Sequence, residues 1–173
     1  MSIGGQSDAK SDRKIYRLTP EGYQKKKERL DYLVNVKRRE VADYIHEAKE
    51  AGDISESSAY EEAKNDQAML EGEVLELERL LALSEVMTPD MHATEDGPLS
   101  VRIGTQVELE TVSGKKRVFK LVETFEADPK SGLISDQSPV GKALLGHREG
   151  DEVDVSTPGG VTSYTILSIS PMF

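Results

Sequence analysis

Two apolar runs of heptad spacing, mirrored about a point between Ser55 and Glu56, constrain this chain more than any other feature. On the N-terminal side Tyr23, Leu30, Val34, Val41, Tyr44, Ala48 and Ala51 recur at alternating steps of four and three residues, interrupted where Lys27 and Lys37 take seam positions. On the other side Tyr60, Ala63, Gln67, Leu70, Val74, Leu77 and Leu81 do the same, with Ser84 completing the register. Such steps lay one narrow stripe along an α-helix, which is the seam of a coiled coil. The mirror placement requires the chain to fold back on itself. Ala48 then faces Ala63, Tyr44 faces Gln67, Val41 faces Leu70, Val34 faces Leu77 and Leu30 faces Leu81. Small residues fall near the turn and larger ones near the base, so the hairpin is slim at its far end. Thr19-Pro20 starts the first helix, a hydroxyl at the N-cap followed by a proline whose missing N–H costs nothing there. At about 1.5 Å per residue, an arm from Pro20 to Ser55 is roughly 50 Å long. No third amphipathic helix follows to cover its outer faces, so the arm projects. A purely structural coiled coil or a dimerisation arm fits the heptads equally well.

The pattern changes after the second helix. Residues 88–100 (TPDMHATEDGPLS) hold two prolines, a glycine and polar residues, which end a helix and mark a linker. Strands are expected at 101–112, at 117–124 after the Ser113-Gly114 turn, at 133–135, at 152–156 and at 162–169. A short helix is expected over 139–145 with Gly146 as its cap, and Thr157-Pro158-Gly159-Gly160 makes a sharp hairpin turn. The fold class is therefore α+β: a tail over 1–15, an antiparallel helical hairpin over 16–88, a linker over 89–100, and a small, mainly antiparallel β domain with one short helix over 101–173.

Composition narrows the function classes. The chain has no cysteine, which excludes disulfides, thiolate metal sites and a thiol nucleophile. No apolar run approaches the roughly 20 residues of a membrane span, and the first residues lack an apolar leader, so a cytoplasmic protein without membrane contact is expected. A net charge of -10 argues against strong independent binding of nucleic acid, which needs a basic surface. The basic residues cluster locally, from Lys25, Lys26, Lys27 and Arg29 to Lys37, Arg38, Arg39 and Lys49. They read either as a basic face or as an ordinary solvated helix surface.

Asp53 and Glu56 stand at the turn of the hairpin, three residues apart. One reading is a capping box, with Asp53 as N-cap and Glu56 reaching back to it. The other is a pair of hard oxygen ligands for a divalent cation. Two carboxylates are too few to cage magnesium alone, so such a site has to be completed by another molecule. Other chemistry is not visible. His46, His92 and His147 lack ligand spacing, the Thr157–Gly160 turn has no following Lys-Ser/Thr, and no serine sits in a nucleophile elbow.

The segment Ala-Gly-Asp-Ile-Ser-Glu-Ser-Ser-Ala-Tyr at 51–60 resembles the Gly-Asp-Leu-x-Glu-Asn-Ala-Glu-Tyr tip of the bacterial Gre transcript-cleavage factors. Leu133-Ile-Ser135, Ser138-Pro139-Val-Gly-Lys-Ala-Leu-Leu-Gly146, Gly150-Asp151 and the Thr157–Gly160 turn are similar to that family's C-terminal signature, in the same order. The resemblance implies a coiled-coil hairpin followed by an FKBP-like domain, with RNA polymerase as partner. It implies that the C-terminal domain docks at the rim of the polymerase secondary channel while the hairpin passes down it. Asp53 and Glu56 then assist the polymerase in holding a second Mg2+ and in hydrolysing backtracked RNA near its 3' end. The factor is no enzyme alone, and Mg2+ is its cofactor only within the polymerase complex. By position, Lys49 and Lys64 match residues that face the transcript, Tyr60 matches the tip tyrosine, and Ser138 and Pro139 match a docking loop. The family's Asn-Ala-Glu is Ser57-Ser58-Ala59 here, so a regulator that occupies the same channel and inhibits without cleavage is the main alternative. The implied fold alone also admits a peptidyl-prolyl isomerase, but Phe119, Phe125, Tyr164 and Phe173 are few aromatics to line a proline pocket.

Overall fold

The computed structural model describes residues 14–51, 58–92 and 99–172. The chain opens with strand β1 (Tyr16–Leu18) and helix α1 (Pro20–Tyr32), continues through a π-helical turn (Leu33–Lys37) into α2 (Arg38–Glu50), and returns along α3 (Ser58–Ala82). Strand β2 (Ser84–Val86) then pairs in parallel with β1 at the base of the hairpin. The second domain carries β3 (Thr105–Thr111), β4 (Lys116–Val122), β5 (Leu133–Ser135), α4 (Pro139–Leu144), β6 (Glu152–Thr157) and β7 (Gly160–Pro171). Among the described residues, no helix is long and apolar enough to cross a membrane.

The hairpin seam follows the heptads with corrections at Val34, Tyr44, Ala51 and Leu81. Leu33, Val41, Ile45 and Ala48 are buried on the first arm, and Ala63, Leu70, Val74, Leu77 and Leu80 on the second. Leu33 is buried where Val34, only half-buried, was expected; Ile45 takes the place expected for Tyr44, which is exposed, as is Ala51; and near the base Leu80 is buried outside the seam cluster while Leu81 is half-buried. Leu33 enters the seam at a π turn, in which the Arg38 N–H donates to the Leu33 carbonyl five residues back. Such a turn consumes roughly one residue more than the 3.6 of an α turn. One π turn and one α turn together span about eight residues, which is the separation of Leu33 and Val41. Lys37 is thereby turned out of the seam and pairs with Glu40 at 3.1 Å. At the base, Ser84 belongs to β2 instead of extending the helical register; its hydroxyl donates to the Leu80 carbonyl.

Bidentate ion pairs tie the two arms together, one on each flank of the seam. Arg29 donates to Glu73 at 2.8 and 3.1 Å, and Arg38 to Glu71 at 2.8 and 2.7 Å. These contacts hold both carboxyls below the usual carboxylate range, chiefly through the hydrogen bonds themselves.

The sheet has the order β5-β4-β3-β7-β6. Neighbouring strands are antiparallel except β4 and β5, which run parallel, so the sheet is mixed. Val107, Leu109, Leu121, Leu144, Val153 and Ile166 form the centre of its core. Helix α4 packs hard against β5: a Cβ added at Gly141 would lie 2.0 Å from the Ser135 carbonyl oxygen. The expected hairpin turn is present, with Thr157 paired to Gly160 around Pro158 and Gly159, and Gly160 at φ +119.

Candidate functional site

The far end of the hairpin is built from small residues. Ala48 and Ala63 are both buried, so the two helices approach closely there without large side chains between them. The first arm's last helical residue is Glu50, and the second arm's first is Ser58. Residues 52–57 join them, and Asp53 and Glu56, with the capping box they could form, lie outside the described residues.

The flanking residues do lie within the described set. Lys49 is exposed one residue before the end of α2, where a cation is favoured by the helix dipole. Lys64 is also exposed, and its ammonium donates to Gln67 at 3.0 Å. Tyr60 is half-buried and packs against the seam cluster, which fits a brace for the hairpin end. His46 meets Glu50 at 3.3 Å along its own helix, and His147 meets Asp151 at 3.1 Å in the other domain; His92 lies outside the described side chains. Among the described residues, no group of three or more His, Asp or Glu side chains could hold a metal ion.

Ser138 and Pro139 sit far along the chain, at the start of α4. The Ser138 hydroxyl accepts from the Gly141 N–H at 3.0 Å and donates to the Ser135 carbonyl at 2.7 Å, and Pro139 occupies the first helical position. Local structure accounts for both residues as a cap and a turn.

A second polar constellation was not anticipated by the sequence reading. The turn Thr124–Glu126, which follows β4, meets the base of the arm. The Arg17 N–H donates to Glu123 at 3.3 Å, the Thr19 N–H donates to Glu126 at 3.0 Å, and the Tyr16 and Phe125 rings meet edge to face at 5.0 Å. Burial pushes the Glu123 carboxyl above its ordinary value, against the opposing effect of the Arg17 N–H. The available signal was Gly22, a glycine in the first turn of a helix with no local reason to be there.

Comparison with known proteins follows the two parts of the chain. A family model described as "Transcription elongation factor, N-terminal" matches residues 16–86, and one described as "Transcription elongation factor, GreA/GreB, C-term" matches residues 97–171. The transcription elongation factor GreA of Thermoanaerobacter pseudethanolicus is 45% identical over 154 residues, covering 88% of this chain and 95% of the relative. That of Clostridium novyi is 39% identical over 160 residues, covering 92% and 98%. The crystal structure of the GreA factor homolog 1 protein of Thermus thermophilus is 30% identical and covers 91% of this chain and 99% of that one, with a TM-score of 0.41.

Proposed function

The chain belongs to the GreA/GreB family of transcription elongation factors, and we propose that it inserts its helical arm into the secondary channel of RNA polymerase and stimulates hydrolysis of backtracked RNA there. The observation that carries this reading is the position of Asp53 and Glu56 in the connection between two helices whose facing residues, Ala48 and Ala63, keep the end of the arm narrow. Carboxylate oxygens are the donors magnesium takes, and two of them leave most of its coordination to other ligands. The donor set thus fits an ion shared with the polymerase, not one carried by the free factor. Magnesium held in this way supplies charge neutralisation and a water of lowered pKa for attack on the RNA phosphodiester.

The chain's own residues have separable roles in this reading. Asp53 and Glu56 orient the attacking water and share the ion. Lys49 and Lys64, on either side of the connection, offset the phosphate charge of the transcript as point charges. Tyr60 braces the hairpin end, and the sheet domain docks through the loop at Ser138 and Pro139. With the polymerase as its site of work, the factor acts in the cytoplasm and carries no reaction by itself.

The test is a halted, backtracked elongation complex from the cognate polymerase, supplied with Mg2+ and either wild-type factor or Asp53→Asn. Wild type shortens the transcript from its 3' end. Asp53→Asn binds as well and cleaves more slowly, because a neutral amide oxygen is a weaker ligand than a carboxylate for a hard cation. Equal cleavage by both proteins removes Asp53 from the mechanism. The Ser57-Ser58-Ala59 departure favours the second reading, an inhibitor in the same channel: wild type then blocks nucleotide addition and leaves the transcript length unchanged.

A further inference from the structure

We propose that Glu126 is a latch that fixes the direction of the helical arm relative to the sheet domain, by completing from the other domain the cap of α1. The latch stands on the contacts below; its consequence for the far end of the arm rests on the function proposed above.

A helix N-terminus leaves its first N–H groups without intrahelical partners. At α1 the Thr19 hydroxyl accepts from the Gly22 N–H at 2.9 Å, half of a capping box. In a self-contained box the residue at the Gly22 position is Glu or Gln, whose side chain returns to the N–H of the cap residue. Here that N–H donates instead to Glu126 Oε2 at 3.0 Å, across 107 residues of sequence, and the Thr19 hydroxyl donates to Glu126 Oε1. Gly22 supplies the space. A Cβ built on it would lie 1.6 Å from Glu126 Oε1 and 2.3 Å from Cδ. A glycine in a helix lowers its stability, so the close approach of the carboxylate is the physical reason for this one.

The apolar clusters of the arm and of the sheet share no residue, while Leu18, Leu80, Met87 and Val122 are buried outside both. Between them lie open clefts, one of about 420 Å³ lined by Thr19, Lys25, Arg29, Phe125, Glu126 and Leu133, and one of about 320 Å³ beside Tyr16, Leu80 and Phe125. Directional hydrogen bonds and one ring contact cross the joint beside these apolar residues, and of the two kinds of contact only the hydrogen bonds have a fixed direction. The arm is a lever: for a length of roughly 50 Å, a rotation of roughly 5° at the base moves the far end by about 4 Å. Catalytic groups tolerate far less, since a misplacement of about 1 Å can cost on the order of 100-fold in rate. Glu126 is thus a positioning residue, at the opposite end of the arm from the carboxylates it aims.

The chain has no cysteine, so spin labels can be placed at Asp43→Cys on the arm and Lys115→Cys on the sheet domain, and their separation measured by pulsed dipolar spectroscopy on the free protein. The otherwise wild-type chain gives one narrow distance distribution. Gly22→Ala, which expels the carboxylate while favouring the helix, and Glu126→Ala both broaden or shift it by several Å, with helix content by circular dichroism unchanged. Glu126→Gln, which keeps an acceptor for the Thr19 N–H, restores most of the narrow distribution. Unchanged distributions in both Gly22→Ala and Glu126→Ala overturn the latch. In the cleavage assay the same two variants lower the rate at saturating factor. Moved labels with an unchanged rate overturn the link to the far end, and a wild type that never cleaves overturns the proposed function while the label distances still decide the latch.

Discussion

The arm and the sheet domain bury their apolar residues in opposite ways. The arm has a single row on each helix, so that Leu70, Val74 and Leu77 meet Leu33 and Val41 while neighbours such as Met69 and Leu75 face solvent. The sheet domain encloses the centre of its core, where Val107, Leu109, Leu121 and Leu144 are fully buried, although Val112 and Val161 at its rim face solvent. A single row tolerates a change of local winding, because only one stripe has to stay in register. The π turn at Leu33–Lys37 is such a change. A closed core tolerates almost none, and the contact of Gly141 with the Ser135 backbone shows how little room remains.

That difference is broken most sharply from the sheet side. Leu121→Ala is expected to destabilise the sheet domain by about 3–4 kcal/mol, read by chemical denaturation, because the cavity it opens is enclosed. Gly141→Ala should cost about 3 kcal/mol in the same measurement, since the added methyl meets backbone atoms that have to shift. Leu70→Ala on the arm should cost about 2 kcal/mol, the low end for such truncations, because the two helices can close over the gap. Deleting Val36 sharpens the comparison further. It returns the separation of Leu33 and Val41 to about two α turns, so thermal unfolding of the arm should change by less than about 1 kcal/mol.

Titration separates the two regions with opposite signs. Glu71 and Glu73 on the arm have lowered pKa values, held down by their arginine hydrogen bonds. Their contribution is present above the unfolded value of 4.5 and is lost as pH falls through the lower folded values. Glu123 at the joint is raised from 4.5 by burial, so its ionised form destabilises the fold above the raised value. Glu123→Gln should therefore raise the melting temperature near neutral pH, with a gain that vanishes well below pH 4.5, where the carboxyl is protonated in both the folded and the unfolded chain. Arg38→Ala should have the smallest effect, reduced further by salt, because the pair it breaks is exposed.

Much of the fold could be read from the chain because it depends on local pattern. The heptads placed the helices, and the turns at Ser113-Gly114 and Thr157–Gly160 placed the strands. Three features escaped because they depend on residues distant in sequence. The parallel pairing of β4 with β5 follows from the crossing at 123–132, which carries no strand pattern. The π turn has no residue signature of its own, although Lys37 in a seam position was its trace. The cap of α1 is completed from 107 residues away, and only Gly22 hinted at it. At the candidate site, local physics left Asp53 and Glu56 divided between a capping box and a shared ion. The likeness of the 51–60 segment to the Gre tip, not spacing, supplied the catalytic reading.

The measurement that bears most directly on these carboxylates is the Mg2+ dependence of transcript cleavage in backtracked complexes, titrated with saturating wild type and with Asp53→Asn. Sharing of the ion predicts half-maximal cleavage at a lower Mg2+ concentration with wild type, and partial recovery of the variant as Mg2+ is raised. Identical Mg2+ dependence in the two, with only the plateau lowered or with no difference at all, would contradict it.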